Sequence, residues 1–280
     1  MNGSSLILGT AQFSGVYGIT NPKKQYSTNE LASILTLASS NGISRLDTAI
    51  SYPGVYSNLS KALSELSNKQ TLKVATKFAF KGISRELFRH QLQYSREIFP
   101  SVEIDIVFVH DWDQLTSVDF PIIEEIAAEF SNIKFGASIY EPKDVEAIFE
   151  NTPSISVIQI PLNILNQSFL TYLRIMGEKG VEIWARSIFL QGAIDWTSPM
   201  NPFLGHPSII KLRKLGQDLN VSPIELALDF IKHFSLQSVI GVATANQLSE
   251  ILRVIDLPQL EIEYGSYASS DKKLIDPRAW

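Results

Sequence analysis

The chain has 280 residues, of which 45% are hydrophobic and 19% charged, with a net charge of 24 − 29 = −5. This balance excludes a disordered, collagen-like or coiled-coil chain, and the lack of a basic excess argues against general nucleic-acid binding. There is no cysteine, which removes disulfides, zinc–thiolate and iron–sulfur sites and cysteine nucleophiles together.

The first ten residues carry no basic segment followed by an apolar one, so no signal peptide is expected. No apolar run approaches the ~18 residues of a membrane span. The expectation is a cytoplasmic protein that meets no membrane.

Short apolar runs open the pattern at 6–9 and recur at 45–49, 72–77, 104–110, 133–138, 157–161, 181–186 and 238–242. They are aliphatic or β-branched at nearly every position, as suits strands buried on both faces of a parallel sheet. After the first comes Ser27-Thr28-Asn29-Glu30, a capping box, with Leu31, Ile34, Leu35 and Ala38 at helical spacing and Gly42 near the helix end. Further helices are expected at 87–99, 122–130, 144–149 and 169–176. An additional helix at 208–219 precedes one opened by Ser222-Pro223, with serine as N-cap and proline in the first turn. A helix at 247–255 ends the series, and 263–280 reads as an irregular tail.

Eight strand–helix units in 280 residues predict one closed (β/α)8 TIM barrel spanning residues 1–280. In such barrels the active site lies at the C-terminal ends of the strands. Asp47 ends the second strand, with Tyr52 in the loop beyond. Lys77 ends the third strand and His110 the fourth.

Each of these residues has an ordinary explanation alone: a cap, a packing tyrosine, a solvated charge, a core histidine. Together they converge on one mouth. The apolar neighbours of Lys77 make an unpaired ammonium costly there, so a pair with Asp47 is expected. The set suits proton donation to a carbonyl, with Tyr52 as acid and an adjacent ammonium expected to lower its pKa. Only four histidines occur, with no His-x-His pair, which leaves a metal centre short of ligands. No metal is expected.

These residues resemble the aldo-keto reductases. Leu8 to Phe13 is similar to the family's opening strand and loop. Leu46-Asp47-Thr48-Ala49 with Tyr52, Leu59 and Lys61-Ala62-Leu63 follows its second loop and helix. Val74 to Lys77 and Val107 to His110 are similar to its lysine and histidine strands. The resemblance spans about residues 6–255. It implies an NADPH-dependent or NADH-dependent oxidoreductase that reduces an aldehyde or ketone, with a small-molecule carbonyl, such as a keto-sugar, as its partner. By the same resemblance Tyr52 is the acid, Lys77 and Asp47 tune it, and His110 orients the carbonyl.

Cofactor positions carry over too. Thr10 and Asp47 flank the cofactor site, and Ser138 and Gln159 correspond to residues that hold the nicotinamide carboxamide. Arg186 replaces the tyrosine that many members stack on the ring. Arg186-Ser187-Ile188-Phe189-Leu190-Gln191-Gly192 is similar to a bacterial subgroup, placing Ser187, Phe189 and Gln191 near the pyrophosphate. Gly241, Thr244, Gln247 and Glu250 correspond to the adenosine end. Gln247 stands where many members have the arginine that clamps a 2′-phosphate, which keeps NADH in play beside NADPH.

Phe13, Tyr17 and Trp112, with Trp280 beyond them, are candidates for the substrate pocket. The loop Tyr52-Pro53-Gly54-Val55-Tyr56 departs from the family pattern and leaves Tyr56 as a second candidate acid. That loop and the missing clamp also keep open a non-catalytic cofactor-binding or partner-binding protein on the same scaffold.

Overall fold

The computed structural model describes residues 3–15, 17–21, 25–67 and 72–280. Eight parallel strands, β1 (Leu6–Gly9), β2 (Arg45–Asp47), β3 (Lys73–Phe78), β4 (Glu103–Val109), β5 (Lys134–Ser138), β6 (Ile155–Pro161), β7 (Glu182–Arg186) and β8 (Gln237–Gly241), close into a barrel in sequence order. Closure is made by β1 on β8, with Leu6 opposite Ser238 and Gly9 opposite Gly241. Each strand overlaps its predicted apolar run to within two residues at either end.

Helices α1 (Thr28–Ser40), α2 (Val55–Ser64), α3 (Arg85–Ile98), α4 (Phe120–Glu129), α5 (Asp144–Asn151) and α6 (Leu170–Glu178) follow the first six strands in turn. The extra helix α7 (Pro207–Leu219) and α8 (Pro223–Lys232) come between β7 and β8, and α9 (Ala245–Ile255) follows β8. The Ser27 and Ser222 capping boxes both form, each serine accepting from the backbone of the glutamate three residues on. No helix among the described residues is long and apolar enough to cross a membrane.

Two cores result. Ile7, Ala75, Ile106, Phe108, Val157, Trp184 and Val239 fill the barrel interior. Gly136 lacks the Cβ that would meet the Phe108 ring at 2.5 Å, and this absence lets Phe108 lie across the barrel to Trp184, with ring centroids 5.1 Å apart. A larger cluster lies between strands and helices, where the faces predicted from spacing in α1 (Leu31, Ile34, Leu35, Ala38) are buried.

The tail contains short helical segments, Tyr264–Tyr267, Lys272–Ile275 and Pro277–Ala279, where the sequence suggested an irregular run. Segments of three or four residues are too short to show periodicity. Their caps were the available signal: Asp271 accepts from Lys273 N and Asp276 from Arg278 N.

Candidate active site

The strand ends set the geometry. Lys77 and Asp47 project from neighbouring strands into the barrel mouth and are 1% and 5% exposed. Lys77 Nζ donates to Asp47 Oδ1 at 2.6 Å and Oδ2 at 2.7 Å, and to the Thr48 carbonyl at 3.2 Å. The pairing anticipated on desolvation grounds is formed. Burial pushes the Lys77 ammonium below its usual pKa, and the Asp47 carboxylate opposes that.

The network extends across the barrel. Gln159 Nε2 donates to Asp47 Oδ1 at 2.9 Å, and Ser138 Oγ donates to Gln159 Oε1 at 3.3 Å. Four strands thus share one chain of buried polar groups, each meeting a partner as burial requires.

Tyr52 lies over this pair, with Lys77 Nζ 5.6 Å from its ring centroid. A short backbone ladder fixes the loop: Thr48 N donates to Ala75 O, Ile50 N to Lys77 O and Tyr52 N to Ala49 O. Pro53 follows, and Gly54, at φ 69°, turns the chain into α2. His110 meets the Tyr52 ring edge-on, with centroids 6.0 Å apart. Its Nδ1 lies 3.3 Å from Ser51 Oγ. Burial and the Lys77 charge hold His110 down to about 4, so its ring is neutral near pH 7.

The Tyr52 phenol departs from the sequence expectation of a lowered pKa. Burial and the Asp47 carboxylate push it up, and the Arg186 charge opposes them. The Lys77 charge is committed to Asp47 and so activates the phenol less than simple adjacency suggests. Tyr52 is therefore protonated at neutral pH and holds a proton to give.

Tyr56 faces elsewhere. Its hydroxyl is buried against Thr76 Oγ1 and lies 3.2 Å from Ser95 Oγ, in the layer between barrel and helices.

A cavity of about 400 Å³ opens beside Tyr52 and extends to α8 and α9. Asp47, Tyr52, Gln159, Arg186, Ser187, Phe189, Gln191, Gly241, Gln247, Glu250 and Tyr17 line it. Thr10, Ser138 and Thr244 are not among its walls. Thr10 is buried, its hydroxyl donating to Asp47 O at 3.0 Å. Thr244 caps α9 through Gln247 N. Phe13 and Trp112 do not wall the cavity either: both are buried, Phe13 beside Tyr26 and Trp112 stacked on Phe120. Trp280 packs on Phe203 and donates to Lys273 O.

Sequence reading missed Gln12, Asn21, Asp195, Ser222 and Ile224 as cavity walls. Gln12 adjoins the opening motif and was within reach of it. Ser222 was legible only as an N-cap. The 18–21 segment reaches the cavity because Ile19 N donates to Gln191 O at 3.0 Å, a pairing that no local pattern encodes.

The loop after β7 has left-handed backbone at Ser187 (φ 58°), Leu190 (φ 44°), Gln191 (φ 52°) and Gly192 (φ 99°). Such conformations cost non-glycine residues roughly 1 kcal/mol or more each and collect at functional sites. Arg186 Nε, at the start of this loop, is buried without a partner. Gly241 carries no Cβ, and one built there would stand 2.3 Å from Gln12 Nε2. A wall with an unspent donor, thinned by a glycine and continuing to the helix starts, suits a large polar ligand such as a dinucleotide.

The fold and site define a (β/α)8 barrel protein with a polar centre at the C-terminal face. The chain belongs to the aldo/keto reductase family, whose model matches residues 5–269, and with it to the oxidoreductases acting on carbonyl groups. Solved structures agree in fold. An aldo-keto reductase from Bacillus halodurans in its holo form is 18% identical with a TM-score of 0.72, over 94% of this chain and 90% of that one. The glycerol dehydrogenase of Gluconobacter oxydans is 18% identical with a TM-score of 0.69, over 94% and 89%. A putative 2,5-diketo-D-gluconic acid reductase B is 16% identical with a TM-score of 0.71, over 98% and 91%. Comparison with curated proteins returned no match.

Proposed function

We propose that the protein reduces an aldehyde or ketone with NADPH or NADH, and that Tyr52 is the general acid. The observation that carries this reading is the placement of Tyr52 over the buried Lys77–Asp47 pair, with His110 at its edge and the cavity alongside. The nicotinamide, when bound, supplies the hydride. The protein's own residues do the rest.

His110, neutral, donates its ring N–H to the carbonyl oxygen and orients it. Tyr52 gives its proton as negative charge develops on that oxygen. Lys77 places positive charge below the phenol, and Asp47 keeps that ammonium charged and fixed. Gln159 and Ser138 adjoin Asp47 and are suited to the carboxamide; the loop from Ser187 to Gln191 is suited to the pyrophosphate. Gln247 and Glu250 stand at the far wall for the adenosine end. A keto-sugar is the first carbonyl to offer, with small aldehydes as the comparison, because the names of two similar structures refer to polyhydroxylated compounds.

Tyr52→Phe tests the reading. Cofactor affinity should change little while carbonyl reduction falls by about 100-fold or more, the usual scale for losing a general acid. Undiminished reduction by the variant would move the acid to another group.

A further inference from the structure

Arg186 stands out among the cavity walls. It is the one lysine or arginine among the described residues that line the cavity. Its Nη2 donates to the Ile139 carbonyl at 3.0 Å, and its Nη1 lies 3.4 Å from Ser187 Oγ. Its guanidinium carbon is 4.1 Å from the Tyr140 ring centroid. All of these partners are neutral, and no carboxylate among the described residues pairs with it.

The surroundings hold it there. Tyr140 is clamped on its other face by Arg278, 3.8 Å from the centroid. The Arg278 charge is met by Asp276 and Asp113, and the Asp47 charge is met by Lys77. Ser187, immediately after Arg186, has left-handed backbone. One unpaired positive charge is thereby fixed beside the reacting centre. Its field reaches Tyr52, Lys77 and His110, opposing the upward push on the Tyr52 phenol and adding to the downward push that burial puts on the other two.

We propose that Arg186 makes the site discriminate between the two redox states of the nicotinamide cofactor, binding the neutral reduced ring in preference to the cationic oxidised ring. This rests on the proposed function, which puts a nicotinamide ring in the cavity beside Tyr52. A guanidinium facing that ring repels a pyridinium and leaves a dihydropyridine almost unaffected. In a mixed pool the protein therefore loads with reduced cofactor and sheds the oxidised product. The same charge attracts the negative oxygen forming beside Tyr52, which offsets its repulsion of the ring as hydride leaves. Arg186 thus biases the site toward reduction, where a tyrosine at this position would be neutral.

The test is a set of dissociation constants for NADH, NAD⁺, NADPH and NADP⁺, read by tryptophan fluorescence and calorimetry on wild type, Arg186→Gln and Arg186→Lys. In wild type the oxidised form should bind about tenfold or more weakly than the reduced form of the same cofactor, the scale of one partly screened charge pair. Arg186→Gln should bring that ratio toward one, mainly by tightening the oxidised form, and Arg186→Lys should keep it. Equal affinities in wild type, or a ratio unmoved in Arg186→Gln, would overturn the inference while leaving the proposed function standing. Binding of none of the four would overturn the proposed function itself. The wild-type ratio stands as a test even if a variant fails to fold.

Discussion

Tyr52 and Tyr56 are four residues apart in one loop and helix start, and their hydroxyls enter different layers of the molecule. Tyr56 is a buried structural tyrosine, bonded to Thr76 and Ser95. Removing its hydroxyl in Tyr56→Phe should cost about 1–2 kcal/mol of stability in urea unfolding, because two buried hydroxyls lose a partner. Reduction per folded molecule should be unchanged, unlike in Tyr52→Phe. His110 gives a pH signature. Its folded pKa, about 4, lies below the ordinary value of 6.5. The unfolded chain therefore binds more protons between those values, and stability falls as pH drops from about 6.5 toward 4. Unfolding midpoints at pH 7 and pH 5 should diverge in wild type and less so in His110→Asn. At this scale the residue types of the centre were legible in the sequence, since Asp47, Lys77 and His110 each fall at or near the C-terminal end of a predicted strand. Tyr52 was legible too as the candidate acid, but the direction of its pKa shift was not. Its pKa depends on where the Lys77 charge is spent, a property of the assembled mouth.

At the scale of elements, strands and helices were read closely because two periodicities and strong caps agree, as at Ser27 and Ser222. Loops were read poorly for a physical reason: their conformation is imposed by distant contacts. The segment after β7 shows this. Gly192 is at φ 99°, and a Cβ there would stand 2.0 Å from Thr20 Oγ1, while the neighbouring Gln191 carbonyl accepts from Ile19 N. This joins the β7 loop to the 18–21 segment across one wall of the cavity. Gly192→Ala should force the two apart, since both the φ angle and the space favour glycine. The expected result is cofactor affinity weakened by about tenfold or more with the barrel still folded, measured by the same fluorescence titration and by far-UV circular dichroism. An affinity equal to wild type would mean that the joined loops do not shape the ligand's seat.

The whole molecule separates its polar work between the two ends of the barrel, and β2 connects them. Arg45 begins that strand at the floor and Asp47 ends it at the mouth. Arg45 pairs with Asp105 of β4 and approaches Glu182 of β7 at 4.0 Å, and its guanidinium lies 5.6 Å from the Trp184 ring. Lys134 and Trp184 Nε1 also hold Glu182, at 3.1 and 2.8 Å. These groups begin or lie near the start of their strands, at the barrel end opposite the cavity, and none of them is among its walls. Conserving this floor should matter for folding, and the mouth for chemistry. Arg45→Ala would strip Asp105 of its closest cation, with the Asp105 side chain only 13% exposed, and should cost about 2–3 kcal/mol. Its melting temperature should fall by several degrees, with kcat and KM for carbonyl reduction unchanged at a temperature where the variant is folded. Asp47→Asn, two positions along the same strand, should do the reverse in kind and suppress kcat even where the protein remains folded, because Lys77 loses the carboxylate that keeps it charged. If Arg45→Ala lowered kcat in folded protein, the two ends of the barrel would be coupled through β2, and floor and mouth could not be treated as separate devices.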